Sequence, residues 1–192
     1  RAVYTGTTDE AGNKVLIQTP NSSNPGLDEL LAIKNDFEIT RHLNFEGVLK
    51  SRELRRTSNA IEIVKDSFNG MTLSDFLKSH TLSTQQFLEI AIHLSKIIGK
   101  LHELKIIHKD LHPDHILISE DGKKLCIANF GIATQLAQEQ QELRLNESLK
   151  GTLTHISPEQ TGRMNRSIDY RSDLYSLGVT LYQALCQKLP FE

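Results

Sequence analysis

The side chains with the clearest chemistry lie at residues 107–118, in the stretch IHKDLHPDHILI. The stretch holds one carboxylate, that of Asp110, and three imidazoles, those of His108, His112 and His115. Such side chains bind transition metals or transfer protons. As zinc ligands the histidines are disfavoured, because Pro113 interrupts helical continuation and no cysteine or carboxylate cluster completes a set. We therefore expect no metal site here, and the open question is whether the stretch is a catalytic loop, either working or inactive.

The composition limits the classes of protein. The chain has 192 residues, 38% of them hydrophobic and 24% charged, with a formal net charge of −2, which predicts one globular domain or two small lobes. A near-neutral charge balance is unlike that of nucleic-acid-binding proteins. The sequence has no apolar run near the ~20 residues that cross a bilayer, so no membrane insertion is expected. Cys126 and Cys186 lie far apart in apolar surroundings, which indicates reduced thiols and a cytoplasmic location.

The amino-terminal third of the sequence contains strand patterns and one helical pattern. Residues 2–4 and 14–18 are β-rich runs separated by the turn-forming TTDEAGN, which predicts a hairpin. Residues 27–43 fit a rather polar helix, and residues 48–54 and 60–64 fit two further strands. This third is predicted to be an antiparallel sheet with one helix.

The remaining sequence is mainly helical. Thr72 can cap a short helix, and a longer helix is expected at 84–105, with a wide apolar face. That face comprises Phe87, Ile90, Ala91, Leu94, Ile97, Ile98, Leu101 and Leu104. HILI and KLCIA flank the turn SEDGK and predict a hairpin. Residues 132–156 are predicted to form a long loop. Residues 173–186 are predicted to form a buried helix. The apolar positions that mark this last helix are Leu174, Leu177, Leu181 and Leu185.

The motifs fall in a characteristic order: a helix, HKDLHPDHILI, a hairpin, NFG, a loop, GTLTHISPEQ and SDLYSLGVTLY. This order resembles that of a eukaryotic-type serine/threonine protein kinase. Residues 150–191 more narrowly resemble the kinase-like amino-terminal module of large bacterial hybrid sensor proteins, which continue into ATPase and histidine-kinase regions. The resemblance implies an α+β, bilobal fold, with a β-rich lobe at 1–66 and a helical lobe at 67–192. Both lobes are expected to be truncated, the first lacking its Gly-rich loop and first strand, the second its last helices.

The resemblance assigns roles to the loop and to the phosphate-binding strand. Asp110 takes the position of the base that accepts the proton of the substrate hydroxyl, with His108 as its support. Lys109 replaces the usual arginine, and His112 replaces the lysine that meets the transferred phosphate. In VLIQ, aligned with Val-Ala-Ile-Lys, Gln18 stands at the position of the phosphate-binding lysine.

The resemblance also locates the magnesium ligands, and both have changed. His115 stands at the position of the metal-binding asparagine, and Asn129 stands at the aspartate of Asp-Phe-Gly. Mg²⁺ favours oxygen ligands and carboxylates, so these substitutions should weaken its binding greatly. No cofactor is therefore expected, and ATP with Mg²⁺ enters only if the domain is active.

A relocated cation is expected at the rear of the nucleotide pocket. Lys65 falls near the gatekeeper position, and a buried lysine needs a charge partner. We hypothesise that Lys65 pairs with Asp36, for which Glu38 competes by spacing, across the place that Gln18 leaves without a cation. The alternative is that the alignment slips and Lys65 is exposed.

Further positions are assigned by the resemblance alone. Leu16 would fill the adenine roof, while Val3 and Leu117 would sandwich an adenine or pack without one. Structural and regulatory roles fall on four residues: Asp173, which accepts hydrogen bonds from the loop backbone, Glu159, which anchors the activation segment, Thr152, which contacts Asp110, and Ser148, where an activating phosphate would be attached.

Three functions remain open. The first is a pseudokinase that regulates, or interacts with, downstream ATPase and histidine-kinase regions of the same protein. The second is a weakly active serine/threonine kinase with Asp110 as base. The third is a truncated gene product without function. The protein class implies protein partners and no nucleic acid.

Overall fold

The amino-terminal lobe is a four-stranded antiparallel sheet with one helix. In this computed structural model residues 3–8, 12, 14–20, 22, 24–56, 61–135, 151–162 and 166–191 are described. The strands β1 (Val3–Thr8), β2 (Lys14–Thr19), β3 (Ser51–Arg56) and β4 (Ile61–Asp66) lie in the order β1-β2-β4-β3. The helix α1 (Leu27–Thr40) packs against β3 and β4. It ends three residues earlier than predicted, where Thr40 bonds back to the carbonyl of Asp36.

The register of β2 against β4 aligns Gln18, Leu16 and Lys65 on one face of the sheet. Gln18 lies opposite Ile63, and Leu16 lies opposite Lys65. Directly opposed residues of antiparallel strands share a face of the sheet, so these four side chains point to one side. On this face Lys65 of β4 bonds Asp36 of α1, so the helix is attached to the sheet here.

The second lobe is built around the helix α3 (Thr84–Glu103). Ser83 and Gln86 cap its start reciprocally, and its buried stripe forms the core of the lobe. The stripe comprises Ile90, Leu94, Ile97, Ile98 and Leu101. Leu104, which was predicted on this face, is 51% exposed, because α3 ends at Glu103 and the chain turns there.

Short elements join this core to the functional loops. The helix α2 (Leu73–Ser79) begins after the N-cap Thr72, as expected. The strand β5 (Met71–Thr72) pairs with β7 (Ile116–Ile118), and β7 pairs with β8 (Leu125–Ile127), which is the predicted hairpin. The strand β6 (Ile106–Ile107) pairs with β9 (Thr134–Gln135). Together they place the two ends of the catalytic loop at the edge of the core.

The last helix, α4 (Tyr170–Cys186), corrects the sequence interpretation. Leu177 is buried, but Leu174 and Leu185 are 49% and 55% exposed. Leu177 and the half-buried Leu181 pack on the apolar core, while Ser176 donates to the carbonyl of His155 (2.8 Å) in the loop region. The buried face of α4 also carries small and polar side chains. These are Ser172, Asp173, Ser176, Val179, Thr180 and Ala184.

Several sequence predictions meet the limits of the described chain. Ser148 lies outside the described residues, as does most of the predicted loop at 132–156, and the side chain of Val3 is likewise not described. Cys126 and Cys186 are free thiols, and burial raises the pKa of Cys126 to about 12. Among the helices in the described ranges, none is long and apolar enough to cross a membrane.

Candidate functional site

Asp173 of α4 binds the backbone of the catalytic loop and holds it in place. This fully buried carboxylate accepts hydrogen bonds from the backbone N–H groups of His108 (2.9 Å) and Lys109 (2.8 Å). It also accepts one from Nε2 of His102 at 2.9 Å. Lys109 lies in the left-handed region at φ 69°, a strained conformation for a long side chain, and these bonds stabilise it. The position predicted for Asp173 from the resemblance therefore has matching geometry.

Asp110 faces the cavity between the lobes with its carboxylate already engaged. Its Oδ1 accepts hydrogen bonds from the backbone N–H of Thr152 (2.8 Å) and from Oγ1 of Thr152 (2.9 Å). Its Oδ2 lies 3.3 Å from Nδ1 of His115. Burial opposes ionisation of Asp110, yet its pKa lies below the ordinary value because the facing imidazoles of His115 and His112 and the Thr152 hydroxyl stabilise the carboxylate.

Two of the loop histidines have different surroundings. His108 is fully buried, donates from Nε2 to the carbonyl of Ala128 (3.1 Å) and lies edge-on to Phe130. It is turned away from the other imidazoles and supports the loop. His112 accepts a weak bond at Nδ1 from the backbone of Asp114 (3.4 Å), whereas its buried Nε2 has no hydrogen-bond partner among the described residues.

Burial holds the imidazoles of this region in their uncharged form near neutral pH. Burial first, and the neighbouring His115 second, lower the pKa of His112 to about 3. Burial likewise lowers the pKa values of His115 and of His155, whose ring centroid lies 5.7 Å from that of His112. The region around Asp110 therefore carries a negative charge.

The two residues at the magnesium positions are bonded to each other. The Nδ2 amide of Asn129 donates to Nε2 of His115 at 2.7 Å, and Nδ1 of His115 donates to the carbonyl of Asp110 at 2.9 Å. An imidazole nitrogen and an amide that satisfy one another present no carboxylate to a hard cation. The Mg²⁺ ion that the resemblance implies does not fit these residues.

The nucleotide cavity has the wrong charge for a triphosphate. It has a volume of about 430 Å³ and extends from Gln18 to Asp110 and Asn129. Its lining includes two carboxylates, those of Glu29 and Asp110, and of the described residues that line it none is lysine or arginine. Gln18 is buried, and its Oε1 has no hydrogen-bond partner in the described part of the chain. A neutral amide thus replaces the phosphate-binding cation.

The positions assigned to adenine are packed against protein. Leu16 and Leu117 are half-buried and lie on a small cluster formed by Leu49, Cys126 and Ala128. This packing gives both leucines an apolar environment on the protein side.

The ion pair predicted at the rear wall is present. Nζ of Lys65 lies 2.7 Å from Oδ1 of Asp36, and both side chains are fully buried. Thr40 lies beside the carboxylate and bonds Ser51 at 2.7 Å, which joins α1 to β3. Glu38, the competing acid, is exposed and pairs with Arg41. The pair therefore connects α1 to the sheet without any contribution from Gln18.

Glu159 accepts a hydrogen bond from Ser172 of α4 (2.7 Å), in line with its assigned role. Other bonds near the site were not predicted. Gln160 had no assigned role, and it donates to the carbonyl of Lys109 (2.8 Å). Asn35 of α1 donates from its amide to three carbonyls of the segment 130–133. These residues bind backbone atoms, and their partners are distant in sequence, so local patterns carry no signal for them. An asparagine directly before the acid of the ion pair was the one available hint.

These features agree with the comparison to known proteins. A family model described as "Protein kinase domain" matches residues 2–192, and the chain belongs to this family.

The similar curated proteins are serine/threonine kinases by name. A "Probable serine/threonine-protein kinase CPE1738" of Clostridium perfringens is 34% identical over 82% of this chain and 24% of its own length. A "Probable serine/threonine-protein kinase PknB" of Bifidobacterium longum is 34% identical over 67% of this chain and 18% of its own length. "Serine/threonine-protein kinase A" of Synechocystis is 33% identical over 66% and 26%. The chain spans about a fifth to a quarter of these relatives.

Proposed function

We propose that this protein kinase domain is a pseudokinase, which regulates or binds other proteins in signal transduction and does not transfer phosphate. The observation that carries the proposal is the 2.7 Å bond between His115 and Asn129, which occupies both magnesium positions. A kinase must neutralise the triphosphate with a cation and metal ions, and here both requirements fail together. The framework of the loop, with Asp173 and Thr152 bonded as described, is consistent with a domain that keeps its shape for recognition.

The regulated partners in this proposal are the ATPase and histidine-kinase regions of a larger bacterial sensor protein. The support is the resemblance of residues 150–191 to the kinase-like module of such proteins. In this arrangement the conformation of the domain, rather than a chemical product, is the signal. The ion pair of Lys65 and Asp36 stabilises that conformation, since it fixes α1 to the sheet.

The decisive experiment is a thermal-shift titration of the metal-free protein with ATP, in the presence and absence of Mg²⁺. Ligand binding raises the melting temperature by mass action, so we expect no stabilisation that depends on Mg²⁺. The matched variant is the double substitution His115→Asn and Asn129→Asp, which restores the family's ligand types. Magnesium-dependent stabilisation in the double variant alone would support the proposal, and the same stabilisation in the unaltered protein would overturn it.

Regulation is tested in the full-length sensor protein by its histidine-kinase output. Lys65→Met breaks the connection between α1 and the sheet and is expected to change the output. Asp110→Asn keeps the hydrogen-bond acceptor for Thr152 but removes the candidate base, and is expected to leave the output unchanged. The reverse result would favour a catalytic role.

The second candidate is a slow serine/threonine kinase, and one observation favours it. The carboxylate of Asp110 is oriented by Thr152 and borders the cavity, as a general base requires. Incorporation of labelled phosphate from ATP that is lost in Asp110→Ala would establish this candidate. Incorporation that persists in Asp110→Ala would identify a contaminating kinase.

A further inference from the structure

The loop brings one carboxylate and two imidazoles to a common point beside the cavity. Ligand atoms of Asp110, His112 and His115 all lie within 4.8 Å of one another. The ring centroids of the two histidines are 3.8 Å apart. The sequence argued against zinc because no carboxylate completed the set, but that argument counted His108, which is turned toward Ala128. In the folded loop, Asp110 takes the third place.

The buried Nε2 of His112 is a second, independent indication of a ligand. His112 is 4% exposed, and this nitrogen has no hydrogen-bond partner among the residues described. It lies 3.9 Å from Oδ1 of Asp110, which is too far for a hydrogen bond. Two ligands of a tetrahedral ion, each at about 2.0–2.2 Å, lie about 3.3–3.6 Å apart, so this gap must close by a few tenths of an ångström when an ion binds. A buried polar atom without a partner is costly, and a metal ion in this gap would satisfy it.

We propose that Asp110, His112 and His115 bind one divalent transition-metal ion of the zinc class. Two nitrogen ligands and one carboxylate suit Zn²⁺ and similar borderline ions, and not Mg²⁺. The border of the cavity at Asp110 gives an ion a route of entry and leaves room for water as a fourth ligand.

The atoms behind the two imidazoles favour metal binding. Nδ1 of His115 donates to the carbonyl of Asp110 (2.9 Å), which leaves Nε2 as the unprotonated nitrogen. Nδ1 of His112 accepts the weak bond from the backbone N–H of Asp114 (3.4 Å), so metal binding at Nε2 requires the ring proton to move to Nδ1. Oδ2 of Asp114, now 3.6 Å from Nδ1, is the acceptor that would then approach it. A carbonyl or carboxylate behind a ligating histidine is the usual arrangement in metal sites. The cost is the bond from Asn129 to His115, which the ion must replace.

The test measures zinc binding by competition with a chromophoric chelator, on protein first stripped of metal and with no nucleotide present. We expect one zinc ion per chain, unaffected by an excess of Mg²⁺. His112→Gln and His115→Gln should each weaken binding by at least about 100-fold, and Asp114→Asn by about 10-fold, since loss of a supporting partner costs 10–100-fold. The exposed His42→Gln is the control and should bind as the unaltered protein does.

Two outcomes would overturn the proposal: less than one equivalent bound in the unaltered protein, or equal affinity in all the histidine variants. Circular dichroism of each variant shows whether it is folded, and His115→Asn provides a second variant with a small side chain if His115→Gln does not fold. The visible absorption of bound Co²⁺ gives an independent readout, because it reports nitrogen and oxygen ligands directly. Its absence would also count against the site.

Discussion

Two sets of residues meet at the cavity, and they differ in what they have kept. The residues that position the loop, Asp173 and Thr152, bond the backbone and carboxylate as the family resemblance implies. We call these two residues the positioning set. The altered set stands at the cation and metal positions of the family and comprises Gln18, His112, His115 and Asn129. Its members bond one another or have unsatisfied atoms. The difference separates the demands of folding from those of phosphoryl transfer. Buried hydrogen bonds meet the former, whereas the latter need cations, and none of the described residues that line the cavity is lysine or arginine.

Lys65 gives the sharpest way to test this difference, because it is a buried cation whose partner, Asp36, supports the fold and does not line the cavity. Lys65→Met leaves the carboxylate of Asp36 buried without its cation, and we expect a loss of about 4 kcal/mol in the free energy of unfolding. Denaturant titration measures it. The double variant Lys65→Met and Asp36→Leu should recover at least half of the loss, since an apolar pair of similar size avoids the desolvation penalty.

The control for this pair is Lys34→Met, a change of an exposed lysine on α1, which should stay within ~0.5 kcal/mol. If Lys65→Met is as stable as Lys34→Met, the ion pair does not connect α1 to the sheet. A double variant that is less stable than Lys65→Met alone would show that the charges themselves are required.

Asp173 tests the positioning set. Asp173→Asn keeps the shape of the side chain but removes its charge and brings an amide toward the N–H groups of His108 and Lys109. We expect a loss of about 2–3 kcal/mol, the usual cost of leaving buried donors unpaired. Urea unfolding measures this, with the exposed Asp28→Asn as control. A loss below 0.5 kcal/mol in Asp173→Asn, well under the ~2 expected, would mean that the loop is held by other contacts.

His112 tests whether the altered set costs stability in acid. Its pKa is about 3 in the folded protein against an ordinary 6.5, so below pH 6.5 the unfolded chain takes up a proton that the folded protein does not. Stability therefore falls as the pH falls through this window, by about 1.4 kcal/mol from His112 alone at pH 5.5. In the presence of a metal chelator, His112→Gln should lose that much less between pH 7.5 and 5.5.

The remaining acid sensitivity of the His112→Gln variant is expected to come partly from His115 and His155, whose pKa values are also lowered by burial. The exposed His42→Gln should follow the unaltered protein over the whole range. Parallel curves for His112→Gln and the unaltered protein would show that His112 is not buried in its uncharged form.

The comparison also explains how much the sequence could predict. The strands and the helix at 84–103 were accessible, because periodicity is a local signal. The ion pair of Lys65 with Asp36 came instead from the family resemblance, which placed both residues at the rear of the pocket. The exposure of Leu174 and Leu185 could not be predicted, since leucines at helical spacing do not show which face of the helix meets the loops.

The bond between His115 and Asn129 also lay beyond the sequence, because it joins residues 14 apart whose approach depends on the hairpin between them. The sequence could say that both residues had changed. It could not say that the new side chains satisfy each other, nor that Asp110 rather than His108 lies beside the remaining histidines. Identity at single positions is visible in a sequence, whereas the pairing of substituted residues is a tertiary property.

Thr152 carries the smallest of the expected effects and tests whether the positioning set acts on Asp110 through one bond or two. Thr152→Val removes the hydroxyl donor but keeps the backbone N–H, which lies 2.8 Å from the same oxygen. We expect a loss of about 1 kcal/mol, the usual value of one hydrogen bond, in urea unfolding. The exposed Thr7→Val of β1 is the matched control. A loss near 3 kcal/mol, compared with the ~1 expected, would mean that the hydroxyl orients the carboxylate alone and that the positioning set is a chain of single bonds. No loss would mean that the bond from the backbone N–H suffices to orient Asp110 and that the hydroxyl adds nothing to it.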